Sequence, residues 1–182
     1  MSWRNSASRY GTLSLALHWL MLLLIAAVYA CIELRGNYPK GSDVREGLKT
    51  WHFMLGLSVL ALVVVRAVAN FIGELPGIQP NPPKWQSLFA KAMHVALYAL
   101  MFGMPLLGWL TLSAEGKVVP FFGMQLPPLV GVSKSVADWA KELHEAGGTI
   151  GYFLIGLHAA AALFHHYVVR DNTLRRMLPR DV

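Results

Sequence analysis

Four apolar runs alternate with short polar segments along the chain, at about residues 12–32, 51–72, 92–112 and 146–168. Each holds roughly the 20 residues that cross a hydrocarbon core about 30 Å thick. Lipid offers backbone N–H and C=O groups no partners, so each run is expected to be a helix. The segments between them read as loops. Residues 33–50 contain Gly36, Pro39 and Gly41, residues 73–83 are rich in proline and glycine, and residues 116–131 contain Pro120, Pro127 and Pro128. Ser133 or Ser135 is placed to cap a helix that runs straight into the fourth span. Val136, Trp139 and Leu143 form its apolar stripe, so it is expected to protrude beyond the bilayer. Pro105 is expected to kink the third helix, which membranes tolerate. The resulting expectation is an all-α integral membrane protein. It is a single domain of four transmembrane helices, at about 12–32, 51–72, 92–112 and 134–168.

Composition strengthens this reading. The 182 residues are 55% hydrophobic and 14% charged, against about a quarter charged in a typical soluble domain, and the mean hydropathy is +0.44. The formal charge of +6 raises nucleic acid as a partner. The basic residues sit in loops and tails between apolar runs, where anionic headgroups explain them more simply, so no nucleic-acid partner is expected. The single cysteine, Cys31, allows no intrachain disulfide, and no C-x-x-C-H motif is present for covalent haem attachment. Arg4 and Arg9 ahead of the first run resemble the start of a signal peptide. The run is long enough to span and carries His18, so it reads as a retained helix, with a removed signal as the alternative.

An even number of spans puts both termini on one side. Arg170, Arg175, Arg176 and Arg180 in the tail, Arg4 and Arg9 at the start and Lys84 in the middle loop tip the balance. Against them stand Arg35, Lys40, Arg45, Lys49, Lys117 and Lys134 in the other two loops. Both termini are therefore expected in the cytoplasm. Trp51, Tyr29 and Trp109 are then expected in an outer aromatic belt, and Tyr10, Trp85 and Tyr167 in an inner one.

Seven histidines are many for so apolar a chain, and ionisable groups within spans are costly and mark function. His144 and His158 lie fourteen residues apart on the fourth helix. At 100° per residue they fall about 40° apart around the axis and about 21 Å along it. Only His52 and His144 lie at the outer end, so they are the one pair available there. The inner candidates are His18, His94, His158, His165 and His166. His158 shares the face of His144, and His18 lies about 9 Å in from the inner end of its helix. Those two make the best second pair, with His94 left open by spacing. The fourth-helix face reads His144, Gly148, Gly151, Ile155, His158, Ala162, His165, and Gly56 follows His52 by one turn. Small residues of this kind leave flat space for a porphyrin, or simply let helices pack closely. Zinc requires three or four converging ligands, whereas paired imidazoles on facing helices suit the two axial positions of a haem iron. A proton relay is the competing use of such a ladder.

Several stretches are similar to the bacterial cytochrome b561 family, the short four-helix type whose characterised members are superoxide:ubiquinone oxidoreductases. They are Leu17-His18-Trp19, Glu33-Leu34-Arg35-Gly36, His52, Met93-His94 and Leu143-His144-Glu145. The series continues with Gly151-Tyr152-Phe153, Gly156-Leu157-His158-Ala159-Ala160, His165-His166-Tyr167, Asp171-Asn172-Thr173-Leu174 and Arg176-Met177-Leu178-Pro179. The likeness covers nearly the whole chain and is densest towards its end. It implies two haem b groups enclosed by the four-helix bundle, ligated by His18 with His158 and by His52 with His144. The outer loops match less well, which leaves the electron donor open.

The expected function is a dihaem cytochrome b that takes electrons from superoxide at the periplasmic face and reduces ubiquinone. The alternative is an electron-transfer subunit linking the quinone pool to a periplasmic redox protein, and a haem-free transporter or packing protein is a third reading. Arg35, Lys40, Arg45 and Lys49 stand ready to attract an anion near His52, although Glu33, Asp43 and Glu46 are interleaved with them. His165, two turns beyond His158, and Arg66, fourteen residues beyond His52, are candidates for a quinone oxygen or a haem propionate, with His94 beside them. For Arg66 the plainer role is snorkelling to headgroups, and for His94 and His166 a polar contact. No residue is identified as catalytic in the sense of bond-making chemistry. The sequence contains no nucleotide-binding loop, hydrolase triad or zinc motif.

Overall fold

A computed structural model describes residues 3–7 and 9–178. Pro179 and Arg180, which entered the family likeness and the charge bias, lie outside the described residues. Four long helices dominate: α1 (Thr12–Leu34), α2 (Asp43–Ile72), α3 (Lys84–Ala114) and α4 (Lys134–Phe164). All four are long and apolar enough to cross a membrane. Their outward surfaces carry side chains such as Phe71 (92% exposed) and Phe153 (74% exposed). Water would penalise so much bare apolar surface, whereas lipid accepts it.

The helices outrun the apolar stretches. At 30 and 31 residues, α2, α3 and α4 are each about 45 Å long, well beyond a hydrocarbon core of about 30 Å. Helices α2 and α3 begin at Asp43 and Lys84, about two turns before their expected starts near 51 and 92. Polar first turns are invisible to hydropathy but not to capping chemistry. The Ser42 carbonyl accepts from Glu46 N–H at 3.0 Å, and the Ser42 hydroxyl lies 3.4 Å from Arg45 N–H. Asp43 and Glu46 complement the helix dipole there. Ser133, one of the two anticipated caps, plays the same part for α4, with Val136 N–H 3.4 Å from its hydroxyl. Helix α3 continues through Pro105 and ends where Gly116, at φ +69°, lets Lys117 N–H return to the Leu112 carbonyl.

The α3–α4 connection, expected to be an irregular loop, contains an antiparallel hairpin of β1 (Val119–Phe121) and β2 (Met124–Leu126), with Val119 opposite Leu126. Its turn residues Phe122 (φ 45°) and Gly123 (φ 83°) are both left-handed, as tight hairpins require. Phe-Gly is not a usual turn signal, and tertiary contacts hold it. Phe122 N–H points at the Met54 sulfur, the Phe122 ring packs 6.2 Å from that of Trp51, and Val119 is 2% exposed beside Leu57 and Leu112.

The chain divides into two compact units, and each helix contributes to both. One comprises residues up to Leu20, Val64–Ala99 and residues from Ile150 on, and the other Met21–Val63 with Leu100–Thr149. In the first unit the tail folds over the α2–α3 loop. Asn172 N–H donates to the Gln79 carbonyl (3.2 Å), Gln79 N–H donates to Asn172 Oδ1 (2.8 Å), and Arg176 donates to the Pro76 carbonyl. The Trp19 indole donates to the Met177 carbonyl at 2.8 Å. The second unit holds the hairpin and its apolar cluster.

Three of the six expected belt aromatics also engage the protein. The Tyr29 hydroxyl donates to the Gly148 carbonyl, the Trp109 indole donates to the Pro127 carbonyl, and Tyr10 carries the Arg176 guanidinium over its ring. An amphipathic ring satisfies its polar tip as readily on a nearby carbonyl as at the headgroups. Trp51, Trp85 and Tyr167 stay exposed.

Candidate functional site

Each unit contains a pair of facing imidazoles. In the second unit, His52 on α2 and His144 on α4 have ring centroids 6.0 Å apart at 72°. In the first, His18 on α1 and His158 on α4 are 6.3 Å apart at 65°. An iron bound by two imidazole nitrogens at about 2 Å each puts the ring centroids about 6 Å apart, so both pairs have the span of a bis-histidine iron. His94 on α3 also reaches His158, at 5.6 Å and 65°. Among the described residues no group of three or more His, Cys, Asp or Glu side chains is arranged to hold a metal ion.

The surroundings of the pairs fit a porphyrin. His52 Nδ1 lies 3.0 Å from the Val28 carbonyl of α1. That contact selects the tautomer with hydrogen on Nδ1 and leaves the Nε2 lone pair for a metal, the usual support for a ligating histidine. A Cβ added to Gly56, one turn along from His52, would meet no atom within 4 Å, so the helix surface there is bare. At Gly108 the same atom would come 3.3 Å from His144 Cε1, and the missing side chain is what lets α3 lie against the imidazole.

Each pair also has an arginine beside it. Arg35 is within electrostatic reach of His52, and Arg66 is within reach of His18, His94 and His158. Arg35 Nε and Arg66 NH1 are buried without a hydrogen-bond partner. A buried donor left without a partner costs on the order of 1–3 kcal/mol. Anionic groups such as the two carboxylates of haem b would offset that cost. Of the other cations near His52, Arg45 donates to the Arg35 and Tyr38 carbonyls and so pins the turn that carries Arg35. Lys49 is paired with Glu46 at 2.7 Å. Of these three, Arg35 is the one left with a buried nitrogen lacking a partner.

The anticipated candidate His165 stands where α4 widens into a π turn (His165–Val169). Its neighbour was not anticipated as a functional residue: Asp171 Oδ2 is 2.5 Å from His165 Nδ1, and Asp171 is 3% exposed. Arg170 in the left-handed region (φ 61°) reverses the chain, Asp171 N–H returns to the His165 carbonyl, and Thr173 N–H donates to Asp171 Oδ1 at 2.8 Å. Burial pushes the Asp171 carboxyl up, but the hydrogen bonds from His165 and Thr173 outweigh it and hold the group below its ordinary range. A carboxyl depressed on folding stabilises the fold above its ordinary value of 3.8 and loses that contribution as pH falls through the depressed value. Acidification is therefore expected to loosen the C-terminal turn first, read as faster hydrogen exchange at Thr173 N–H than at mid-helix amides. His166 takes no part in either pair. Its ring lies 4.8 Å from that of Tyr167, and its Nδ1 is buried without a partner.

Residues 9–180 match the family model described as prokaryotic cytochrome b561. The chain is 40% identical over 173 residues to cytochrome b561 homolog 1 of Escherichia coli K12, covering 95% of this chain and 98% of that one. It is 36% identical to a protein of Yersinia pestis named probable superoxide oxidase CybB, covering 94% and 97%. It is 31% identical to cytochrome b561 homolog 2 of Escherichia coli K12, covering 100% and 97%.

Proposed function

The chain belongs to the prokaryotic cytochrome b561 family, a family of membrane electron-transfer proteins that implies haem b, and on that footing we propose that it is a dihaem superoxide:ubiquinone oxidoreductase. The observation that carries the proposal is the presence of two imidazole pairs with centroids 6.0 and 6.3 Å apart, one in each unit. His52 and His144 hold one haem b, and His18 and His158 hold the other. The haem supplies reversible one-electron chemistry, which suits a donor that gives single electrons and an acceptor that takes two.

The protein's own groups set what approaches each pair. Arg35, beside His52, draws an anion such as superoxide towards that end. In the first unit, His165 and Arg66 offer hydrogen-bond donors to a quinone oxygen or a carboxylate, with His94 alongside. The net reaction oxidises two superoxide anions to two dioxygen molecules, and one ubiquinone takes the two electrons with two protons to become ubiquinol. The protein lies in the bacterial inner membrane with both termini cytoplasmic, so that the His52/His144 end meets the periplasm. The choice of superoxide draws on the Yersinia pestis relative's name, and the orientation draws on the arginines of the tail.

A second reading, an electron-carrying subunit for a periplasmic redox protein, draws on the exposed apolar tip of the hairpin, where Phe122 is 53% and Met124 is 59% exposed. The test is stopped-flow absorbance of the oxidised protein mixed with superoxide, with dithionite as the full-reduction control. The expected result is fast haem reduction by superoxide and reoxidation when ubiquinone is added. Reduction by dithionite but not by superoxide would transfer the case to the protein-partner reading.

A further inference from the structure

The family likeness and the proposed reaction leave the Asp171 carboxylate without a task. A carboxylate that only closed the end of α4 would need one oxygen, and Oδ1 does that work by accepting from Thr173 N–H at 2.8 Å. Its other oxygen is spent on the His165 ring, 2.5 Å from Nδ1. Two features make the contact rigid. The chain reversal at Arg170 returns Asp171 N–H to the His165 carbonyl, so residues 165 and 171 are joined through both backbone and side chain. The next residue, Asn172, is clamped to Gln79 by two further hydrogen bonds. The side chain of Asp171 is 1% exposed and that of His165 19%, so the carboxylate is closed off while the imidazole keeps an open edge.

We propose that Asp171 is the positioning residue of a proton-donating dyad, in which it fixes Nδ1–H of His165 and turns Nε2 to the oxygen of a bound quinone. This deepens the quinone-reducing role above and rests on it. An acceptor of this class takes two electrons and two protons. One proton leaves Nε2 of His165 as an O–H bond forms on the nearer quinone oxygen, and the imidazole is recharged from water at the cytoplasmic face. The far oxygen takes its proton from water, and both electrons come from the reduced haem irons. The carboxylate holds the neutral ring in the tautomer whose Nε2 can accept the next proton. A buried aspartate behind a histidine does the same in hydrolase triads.

Asp171→Asn separates the dyad from the fold, because an asparagine Oδ1 still accepts from Thr173 N–H while its amide donates to His165 Nδ1 and reverses the tautomer. The experiment reads haem reoxidation in dithionite-reduced protein by a short-chain ubiquinone, together with ¹⁵N-histidine NMR of the same protein. The expected result is a fall in kcat of at least about tenfold with KM for quinone changed by less than about twofold. Haem content and superoxide-driven reduction stay normal, and the low-field Nδ1–H signal of His165 disappears. Wild-type reoxidation in Asp171→Asn, or loss of haem in it, overturns the dyad alone. Wild-type protein whose haem ubiquinone does not reoxidise overturns the quinone reading and the dyad with it.

Discussion

Replacing His18 with alanine is expected to remove one of two haems, halving the haem-to-protein ratio, while His94→Ala leaves both. The two histidines compete for the same partner, since His158 lies 6.3 Å from one ring and 5.6 Å from the other. Two imidazoles across one iron need centroids about 6 Å apart with both nitrogens aimed at the metal, and 5.6 Å is tight for that. Their supports differ as well. The His18 ring packs edge-on against Trp19 at 5.3 Å, and the Trp19 indole is tied to the Met177 carbonyl, so the ring is braced by the C-terminal tail. His94 is exposed and lies within electrostatic reach of Arg66 and Arg176, where it suits a substrate or propionate contact. Pyridine haemochrome quantification checks the stoichiometry, and the spectrum of the remaining haem reports that the fold survives. Haem loss in His94→Ala with retention in His18→Ala would reassign the pair to His94 and His158.

His144→Ala is expected to give the second large effect: loss of the other haem and, with it, of fast reduction by superoxide. The remaining haem should still be reduced by dithionite. The His144 ring sits where Gly108 leaves room for it, opposite a His52 whose Nδ1 is already committed to Val28. Alanine therefore removes an axial ligand without disturbing the partner's orientation. If the electron enters at this pair, the aqueous donor loses its route while the quinone end keeps its haem. Stopped-flow traces with superoxide and with pre-reduced protein plus ubiquinone separate the two ends. Undiminished superoxide reduction in this variant would place electron entry elsewhere.

How much of this was legible in the sequence depended on the range of the forces involved. Hydropathy is a local sum, so the four spans were readable from runs of apolar residues, and four such helices are present among the described residues. Their true ends were less readable, because α2 opens on Asp43-Val44-Arg45-Glu46, a polar turn that a capping serine rather than lipid makes helical. The hairpin was hidden for a different reason. Phe122-Gly123 has no intrinsic turn preference of the Asn-Gly kind, and its left-handed backbone persists because Met54, Trp51 and the Val119 cluster hold it.

The histidine pairs illustrate the same boundary. Helical spacing put His144 and His158 on one face, and elimination made His52 the partner of His144, so the candidate ligands emerged from the chain alone. Spacing could not rank His18 against His94, since both face His158 and the difference is a matter of tenths of an ångström in packing. Asp171 was out of reach altogether. A polar residue just past a span reads as headgroup-facing loop, and only the reversal at Arg170 turns a six-residue separation into a 2.5 Å contact with His165. By itself the sequence determined the spans, the family likeness and the set of histidines, because hydrophobic length and helical periodicity are properties of neighbouring residues. The tertiary structure decided which ring carries its hydrogen on Nδ1, which arginine nitrogens are left seeking an anion and which carboxylate stands behind His165. Hydrogen-bond geometry over a few ångströms depends on how distant segments pack, and no local pattern encodes it.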